Sequence, residues 1–204
     1  MVLLSVISCQ KPTETKDNYA IHKVENSKAL LIIFPGGGTT SKETKRDFKI
    51  LEKARKNNIS VLFMDFNQHL WIDENDTEQL EKSLNNIISK YNLNADTIFI
   101  GGMSIGGTVA LSISNYLVKN NSKINPKGVF IVDSPIDLYA LYESSQKDIL
   151  RKDFSEERLS EPKWIINYFE EQFGGIDSLL TNIQKFAPVT TKTKNTTNID
   201  ALKH

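Results

Sequence analysis

Four short apolar runs punctuate the chain, and the segment after each has a different period. The runs "ALLIIFP" (residues 29–35), "SVLFMDF" (60–66), "DTIFIGG" (96–102) and "KGVFIVDSP" (127–135) are rich in branched and aromatic residues. They are too short for buried helices, and their continuous apolarity predicts strands covered on both faces, as in a parallel sheet. Between them the apolar residues recur at helical spacing. Thr40 and Glu43 stand at the separation of a capping box, and Phe48, Ile50, Leu51 and Ala54 form a helical stripe behind them. Leu80, Leu84, Ile87, Ile88 and Tyr91 share one face of a second helix, and "IGGTVALSISNYLVKN" (105–120) predicts a third, apolar enough to be mostly enclosed. Strand–helix repetition of this kind requires right-handed crossovers. The fold class is therefore α/β, a mostly parallel sheet with helices on both faces.

Beyond Pro135 the strand signals stop, and residues 136–187 predict helices alone. "PKWIINYFEEQF" places Trp164, Ile165, Tyr168, Phe169 and Phe173 at helical spacing. Two readings stand side by side: a core stripe, or a helical cap over the carboxyl edge of the sheet, where ligands bind in such folds. Further on, "KFAPVT" and "NIDALKH" read as the approach to another strand, set in a polar tail. The organisation read from the pattern is a leader remnant and tether over 1–18 and one α/β domain over 19–204, with 136–187 as its cap region.

Composition narrows the function. A chain of 204 residues with 39% hydrophobic and 25% charged positions can build its own core without disulfide or metal. Lys and Arg together number 25, matched by 25 Asp and Glu. A balanced charge argues against a nucleic-acid partner, which calls for a basic excess or stripe. No His, Cys and Asp cluster has metal-ligand spacing, and no cofactor is expected.

The chemistry concentrates at "GGMSIGG" (101–107), one hydroxyl among four glycines between a strand and a helix. Gly102-Met103-Ser104-Ile105-Gly106 is the G-x-S-x-G arrangement in the context that gives it meaning. The serine sits on a sharp turn, and side chains two residues to either side of it would collide with strand and helix. Glycine relieves that crowding and leaves the hydroxyl projecting, while the helix start aims N–H groups at the same point. A Walker A loop would need lysine where Gly107 stands, and a dinucleotide fingerprint would need glycine where Met103 stands. The bland alternative is a tight turn with an incidental serine. A second glycine-rich turn, Gly36-Gly37-Gly38, follows an earlier strand.

Together these motifs resemble the central part of the α/β-hydrolase fold superfamily, which consists mainly of esterases, lipases, peptidases and related acyl-transfer enzymes. The resemblance runs from about residue 29 to residue 136. It implies that Ser104 is a nucleophile forming an acyl-enzyme, with Gly102 and Gly106 as the elbow glycines. It implies an oxyanion hole built from the N–H groups of Gly37 or Gly38 and of Ile105. The family's loop often opens with histidine, and here Phe34 and Pro35 precede the glycines. The expected substrate is a small ester or related acyl compound.

The family order is serine, then acid, then histidine. His22 and His69 precede Ser104, and His204 is the last residue. His69 reads as a surface-loop residue. Asp133 closes the fourth strand and is the candidate acid, its alternative role being to cap the turn with Ser134 and Pro135. Asp137 is a second candidate. The expectation is a chain that lacks the C-terminal part carrying acid and histidine, and so one whose activity is impaired.

The N-terminal "MVLLSVISC" ends its apolar run at Cys9 and turns polar at once. Val6-Ile7-Ser8-Cys9 resembles the lipobox of bacterial lipoproteins, although the basic start of a signal peptide is absent. The resemblance implies lipidation at Cys9, membrane attachment and a cell-envelope location; a frayed N-terminus with a free thiol in a cytoplasmic protein is the alternative. Two functions follow: a serine hydrolase of carboxylic esters, or a non-catalytic α/β lipoprotein whose glycine turns hold a small ligand or anion.

Overall fold

A computed structural model describes residues 18–65, 69–174 and 176–202. The four apolar runs form β2 (Ala29–Phe34), β3 (Ile59–Met64), β4 (Ile98–Met103) and β5 (Pro126–Val132). β1 (Tyr19–His22) precedes them, and the five strands lie in the order β1-β3-β2-β4-β5. β2 pairs parallel with both β3 and β4, and β4 pairs parallel with β5. Only β1 is antiparallel, setting Tyr19 opposite Met64 and His22 opposite Val61. Four residues long and at the sheet edge, β1 carries no pattern strong enough to announce itself in sequence. The fold is α/β, with a mostly parallel sheet, as the alternation requires.

Helices cover both faces. α1 (Ser41–Asp47) and α2 (Leu51–Lys56) lie on one side, where Ala54, Phe48 and Leu51 pack with Ile33, Val61 and Phe63. The capping box at Thr40 forms: its side chain accepts from the N–H of Glu43, and the Glu43 carboxylate accepts from the N–H of Thr40. The single helix expected behind it is broken in two. Phe48 takes an extended conformation, and its ring meets Phe63 edge-on at 5.3 Å. The break turns Ile50 outward, so this residue of the predicted stripe is exposed.

On the opposite face lie α3 (Glu74–Tyr91) and α4 (Ile105–Lys119). Leu80, Leu84, Ile87 and Ile88 of α3 and Val109, Ala110 and Ile113 of α4 enclose Leu30, Ile32, Ile98 and Ile100 of the sheet. Strand side chains alternate, so these even-numbered positions share the covered face. Phe99 and Phe130 point the other way, beyond the reach of α1 and α2, and remain partly exposed.

Residues after β5 form α5 (Leu138–Asp148), α6 (Glu156–Phe173) and α7 (Ile176–Ile183). They build a second apolar cluster in which Leu138, Tyr142, Ile165, Phe169, Leu179 and Ile183 gather with Leu70 and Ile105. Trp71 lies within an aromatic layer, its ring 4.6 Å from Phe173 and 5.9 Å from Phe169. The Tyr142 hydroxyl donates to Glu170 at 2.9 Å, and burial, with that carboxylate beside it, pushes its pKa up to about 12. The tail expected to approach a further strand instead makes one isolated bridge, Thr190 with Asn195, and two 3₁₀ turns, Thr191–Thr193 and Thr197–Leu202. Its polar residues satisfy backbone groups locally: the Asn198 amide donates to the carbonyls of Gln184, Lys185 and Ala187. The tail ends against α4, where the Asn115 side chain accepts from the N–H of Ala201 at 3.0 Å.

Candidate active site

The parallel strands bring their carboxyl ends to one edge, and the two glycine turns meet there because β2 and β4 are neighbours. Gly102 and Gly106 sit in contact across the elbow. A Cβ on Gly102 would stand 2.1 Å from the carbonyl oxygen of Gly106, and one on Gly106 would stand 2.3 Å from that of Pro35. Neither atom is at the end of a flexible side chain, so neither can move aside cheaply. The outer glycines are equally confined: a Cβ at Gly101 would enter the Phe130 ring, and one at Gly107 would meet the Ser134 hydroxyl at 1.9 Å.

Between these glycines Ser104 adopts φ 50° and ψ −128°, a region that side-chain-bearing residues rarely occupy. Its backbone is held from two sides: its N–H donates to Val132 at 2.9 Å, and its carbonyl accepts from Gly107 at 2.9 Å. Ser104 stands at the N-cap of α4, yet its hydroxyl makes no capping hydrogen bond. The residue is exposed. Serine at an N-cap ordinarily accepts from the second or third helical N–H. Here the strained backbone swings the side chain away from its own helix and toward the sheet edge.

The first glycine turn lies against it. A Cβ on Gly36 would come within 3.6 Å of the Ser104 Cβ, and one on Gly37 within 3.3 Å of the Ile105 side chain. Gly38 has φ 74°, the left-handed conformation glycine enters at no steric cost. Thr39 closes the turn, both its N–H (3.3 Å) and its hydroxyl (2.8 Å) donating to the Gly36 carbonyl. Among the described residues no acceptor takes the N–H of Gly37 or of Ile105. These two donors and the Ser104 hydroxyl therefore border one space.

That space is a cavity of about 560 Å³, within the usual range for small-molecule sites. Gly37, Gly38, Ser104, Ile105 and Asp133 line it from the sheet side, and Leu141, Glu161, Trp164 and Ile165 from the helices after β5. Ile165 and Phe169 are buried in the helical cluster, while Trp164 stays 47% exposed at the cavity wall. Sequence reading missed Leu70, in the loop before α3, and Leu141 and Glu161 on α5 and α6, because no local pattern tells which residues of a loop or helix face a site built by distant strands.

Asp133 is placed beside Ser104 at the end of β5, with φ 48°. Its expected alternative role, capping the next turn, is not what the structure shows. That turn is closed by Ser134, whose hydroxyl donates to Val132 at 3.2 Å and whose carbonyl accepts from Ile136. Asp137 is committed elsewhere. One of its oxygens caps α5 through the N–H of Ala140, and the other accepts from the N–H (2.8 Å) and hydroxyl (2.6 Å) of Thr191. Burial opposes its ionisation, but these bonds outweigh it and hold its pKa below the ordinary carboxylate value.

No histidine lines the cavity among the described residues. His22 lies on β1, with β3 and β2 between it and β4. Burial, then Lys45 and Arg55, lower its pKa. His69 is engaged through Nδ1 with the Tyr168 hydroxyl at 2.7 Å. His204 and Cys9 lie outside the described residues, and with Cys9 the lipidation signal. Among the described residues no group of His, Cys, Asp and Glu could hold a metal ion, and no helix is long and apolar enough to cross a membrane.

Comparison with known proteins supplies the family. Residues 11–162, which carry both glycine turns and the elbow, match the family model for steryl acetyl hydrolase. The chain belongs to the steryl acetyl hydrolase family. Solved structures similar to this member include several esterases. They include a bacterial heroin esterase (17% identity, TM-score 0.56, covering 78% of this chain and 51% of that one). Carboxyl esterase 2 from the mycorrhizal fungus Tuber melanosporum is similar at 17% identity and TM-score 0.53, with 79% and 57% covered. Esterase B from Lactobacillus rhamnosis is similar at 15% identity and TM-score 0.51, with 79% and 51% covered. The chain spans about half the length of these solved structures. No curated protein matches it in sequence.

Proposed function

We propose that the chain carries the nucleophile of a carboxylic ester hydrolase, and that Ser104 is that nucleophile. The observation that carries this reading is the N-cap position of α4. It is occupied by a serine in a strained conformation, with an exposed hydroxyl that caps nothing and borders the cavity. Strain of this kind persists only where surrounding contacts enforce it, and it accumulates at functional sites.

In the proposed reaction the Ser104 oxygen attacks the ester carbonyl carbon. The oxyanion that forms is taken by the N–H of Gly37 or Gly38 and by that of Ile105, at the amino end of α4. Collapse expels the alcohol and leaves an acyl-enzyme, which water then hydrolyses. The serine proton needs a base, because the neutral hydroxyl is a weak nucleophile. We assign the base to an imidazole beyond the described residues, with Asp133 as the acid that orients it. Each oxyanion donor removed costs roughly 10²–10³ in turnover.

A fluorophosphonate probe tests the assignment. Labelling of the protein that disappears in Ser104→Ala is expected; labelling that survives the substitution would place the nucleophile elsewhere. A second reading, a non-catalytic binder of a small ligand, is favoured by the lack of histidine among the cavity-lining residues described. It predicts no labelling at all. We further propose that Cys9 is lipidated and holds the protein at the cell envelope. Incorporation of radiolabelled palmitate, lost in Cys9→Ser, is the expected result, and an unmodified mature thiol would overturn it.

A further inference from the structure

The cavity beside Ser104 has an uneven electrostatic lining. Asp133 and Glu161 contribute two carboxylates, and among the described residues no lysine or arginine lines it. The chain as a whole carries as many cationic as acidic side chains.

Glu161 and Trp164 are three residues apart on α6, so they are neighbours on one helix face. One face of the Trp164 indole is stacked on Tyr168, with ring centroids 5.3 Å apart and planes 21° from parallel. The side chain still keeps nearly half its surface open, and it lines the cavity. Several other aromatics of this chain are covered by the chain's own cations: Lys90 lies over Tyr19 and Tyr91, Lys192 over Tyr139, and Arg151 and Arg158 over Phe154. Among the described residues no cation lies over Trp164. Glu161 likewise has no ion-pair partner among them. The nearby cations on α6 are engaged elsewhere: Lys163 pairs with Glu156 at 2.8 Å, and Arg158 lies 4.7 Å from the Phe154 ring centre.

We propose that Trp164 and Glu161 form a subsite for a positively charged nitrogen of the ligand, a quaternary or protonated tertiary ammonium. Its place in catalysis rests on reading the cavity as the site of ester cleavage; the substrate class is then an ester carrying such a nitrogen. An indole and a carboxylate lining one cavity supply what an alkylated ammonium ion requires. The ring quadrupole attracts the charge, the carboxylate balances it, and neither demands the hydrogen-bond donors that a quaternary nitrogen lacks. Asp133 adds a second negative charge on the opposite wall.

The test uses choline and its uncharged isostere 3,3-dimethyl-1-butanol, titrated against the intact chain at fixed ionic strength and followed by tryptophan emission. Choline is expected to bind saturably and about five- to thirty-fold more tightly than the isostere, the range that a cation over an indole supplies. Glu161→Gln, which keeps the side-chain size, should weaken choline about two- to five-fold and leave the isostere unchanged. Trp164→Leu, followed by calorimetry because the reporter ring is gone, should remove the preference for charge. Equal affinity for the two alcohols, or choline binding unaffected by both substitutions, would overturn the proposal. Failure of fluorophosphonate labelling with the choline preference intact would remove the hydrolase reading and leave the subsite standing.

Discussion

Asp65, just past the end of β3, holds Ser41, the first residue of α1, by two hydrogen bonds. One carboxylate oxygen accepts from the Ser41 N–H, and the other accepts from its hydroxyl at 2.8 Å. Ser41 is fully buried and follows directly on the glycine turn that faces Ser104. The pair ties that turn to the sheet, so the position of the Gly37 N–H depends on a residue that does not line the cavity. Asp65→Ala would leave a buried N–H and hydroxyl unsatisfied, at about 1–3 kcal/mol. Urea denaturation should show a loss in that range. If the proposed hydrolysis operates, turnover should fall while substrate affinity changes little. Unchanged stability would show the tie to be unimportant.

The glycines should separate by mechanism. Gly106→Ala would drive a methyl group into the carbonyls of Pro35 and Phe34, 2.3 and 2.4 Å away. Backbone cannot yield as a side chain does, so the expected loss is at or above the roughly 3 kcal/mol upper end of ordinary overpacking. Gly38→Ala meets nothing within 4 Å but must hold φ 74°. Its cost is conformational, about 1–2 kcal/mol, reduced by the stiffer unfolded chain. Thermal melting of the two variants should rank Gly106→Ala far below Gly38→Ala; the reverse order would contradict the elbow geometry.

Ser104→Gly should stabilise the protein while ending any reaction at that residue. Relief of the φ 50° strain is worth about 1–3 kcal/mol, and the extra freedom of glycine in the unfolded chain returns roughly 0.5–1 of it. A net gain near 1 kcal/mol corresponds to a rise of about 2–4 °C in Tm for a chain of this size. A lower Tm would mean that the serine side chain contributes packing that outweighs its strain.

Asp137 links α5 to the tail, and its contribution should depend on pH. Its folded pKa lies below the unfolded value because the bonds from Thr191 and Ala140 outweigh the opposing effect of burial. A carboxyl with a depressed folded pKa stabilises fully above its unfolded pKa of about 3.9, and the contribution is lost as pH falls through the folded value. Asp137→Ala should therefore melt lower than the parent chain at pH 7, and the gap should close as pH drops below about 4. A gap that persists in acid would show that the effect is steric.

Much of the architecture was written locally. The four apolar strands, the Thr40 capping box and the α3 face follow from short local patterns, which no distant contact needs to enforce, although β5 (Pro126–Val132) is not buried on both faces as its apolar run predicts. The elbow was legible from its spacing, and the structure supplies the reason for its glycines: the Gly106 backbone crowds Gly102, and the carbonyls of Phe34 and Pro35 crowd Gly106. β1 was not legible, since four residues at a sheet edge gain their order from β3 and not from their own pattern. Nor was the break at Phe48, which leaves the helix because the Phe63 ring lies within its reach.

The sequence by itself determined the fold class and the single strained serine, because spacing along the chain sets both. Only the tertiary structure decided which side chains meet that serine. Strand order puts β2 beside β4 and so brings the Gly37 turn to Ser104. The packing of α5 and α6 sends Ile165 inward and leaves Glu161 and Trp164 at the cavity. Those choices depend on burial shared between separate elements of the chain, over distances at which no local period carries information.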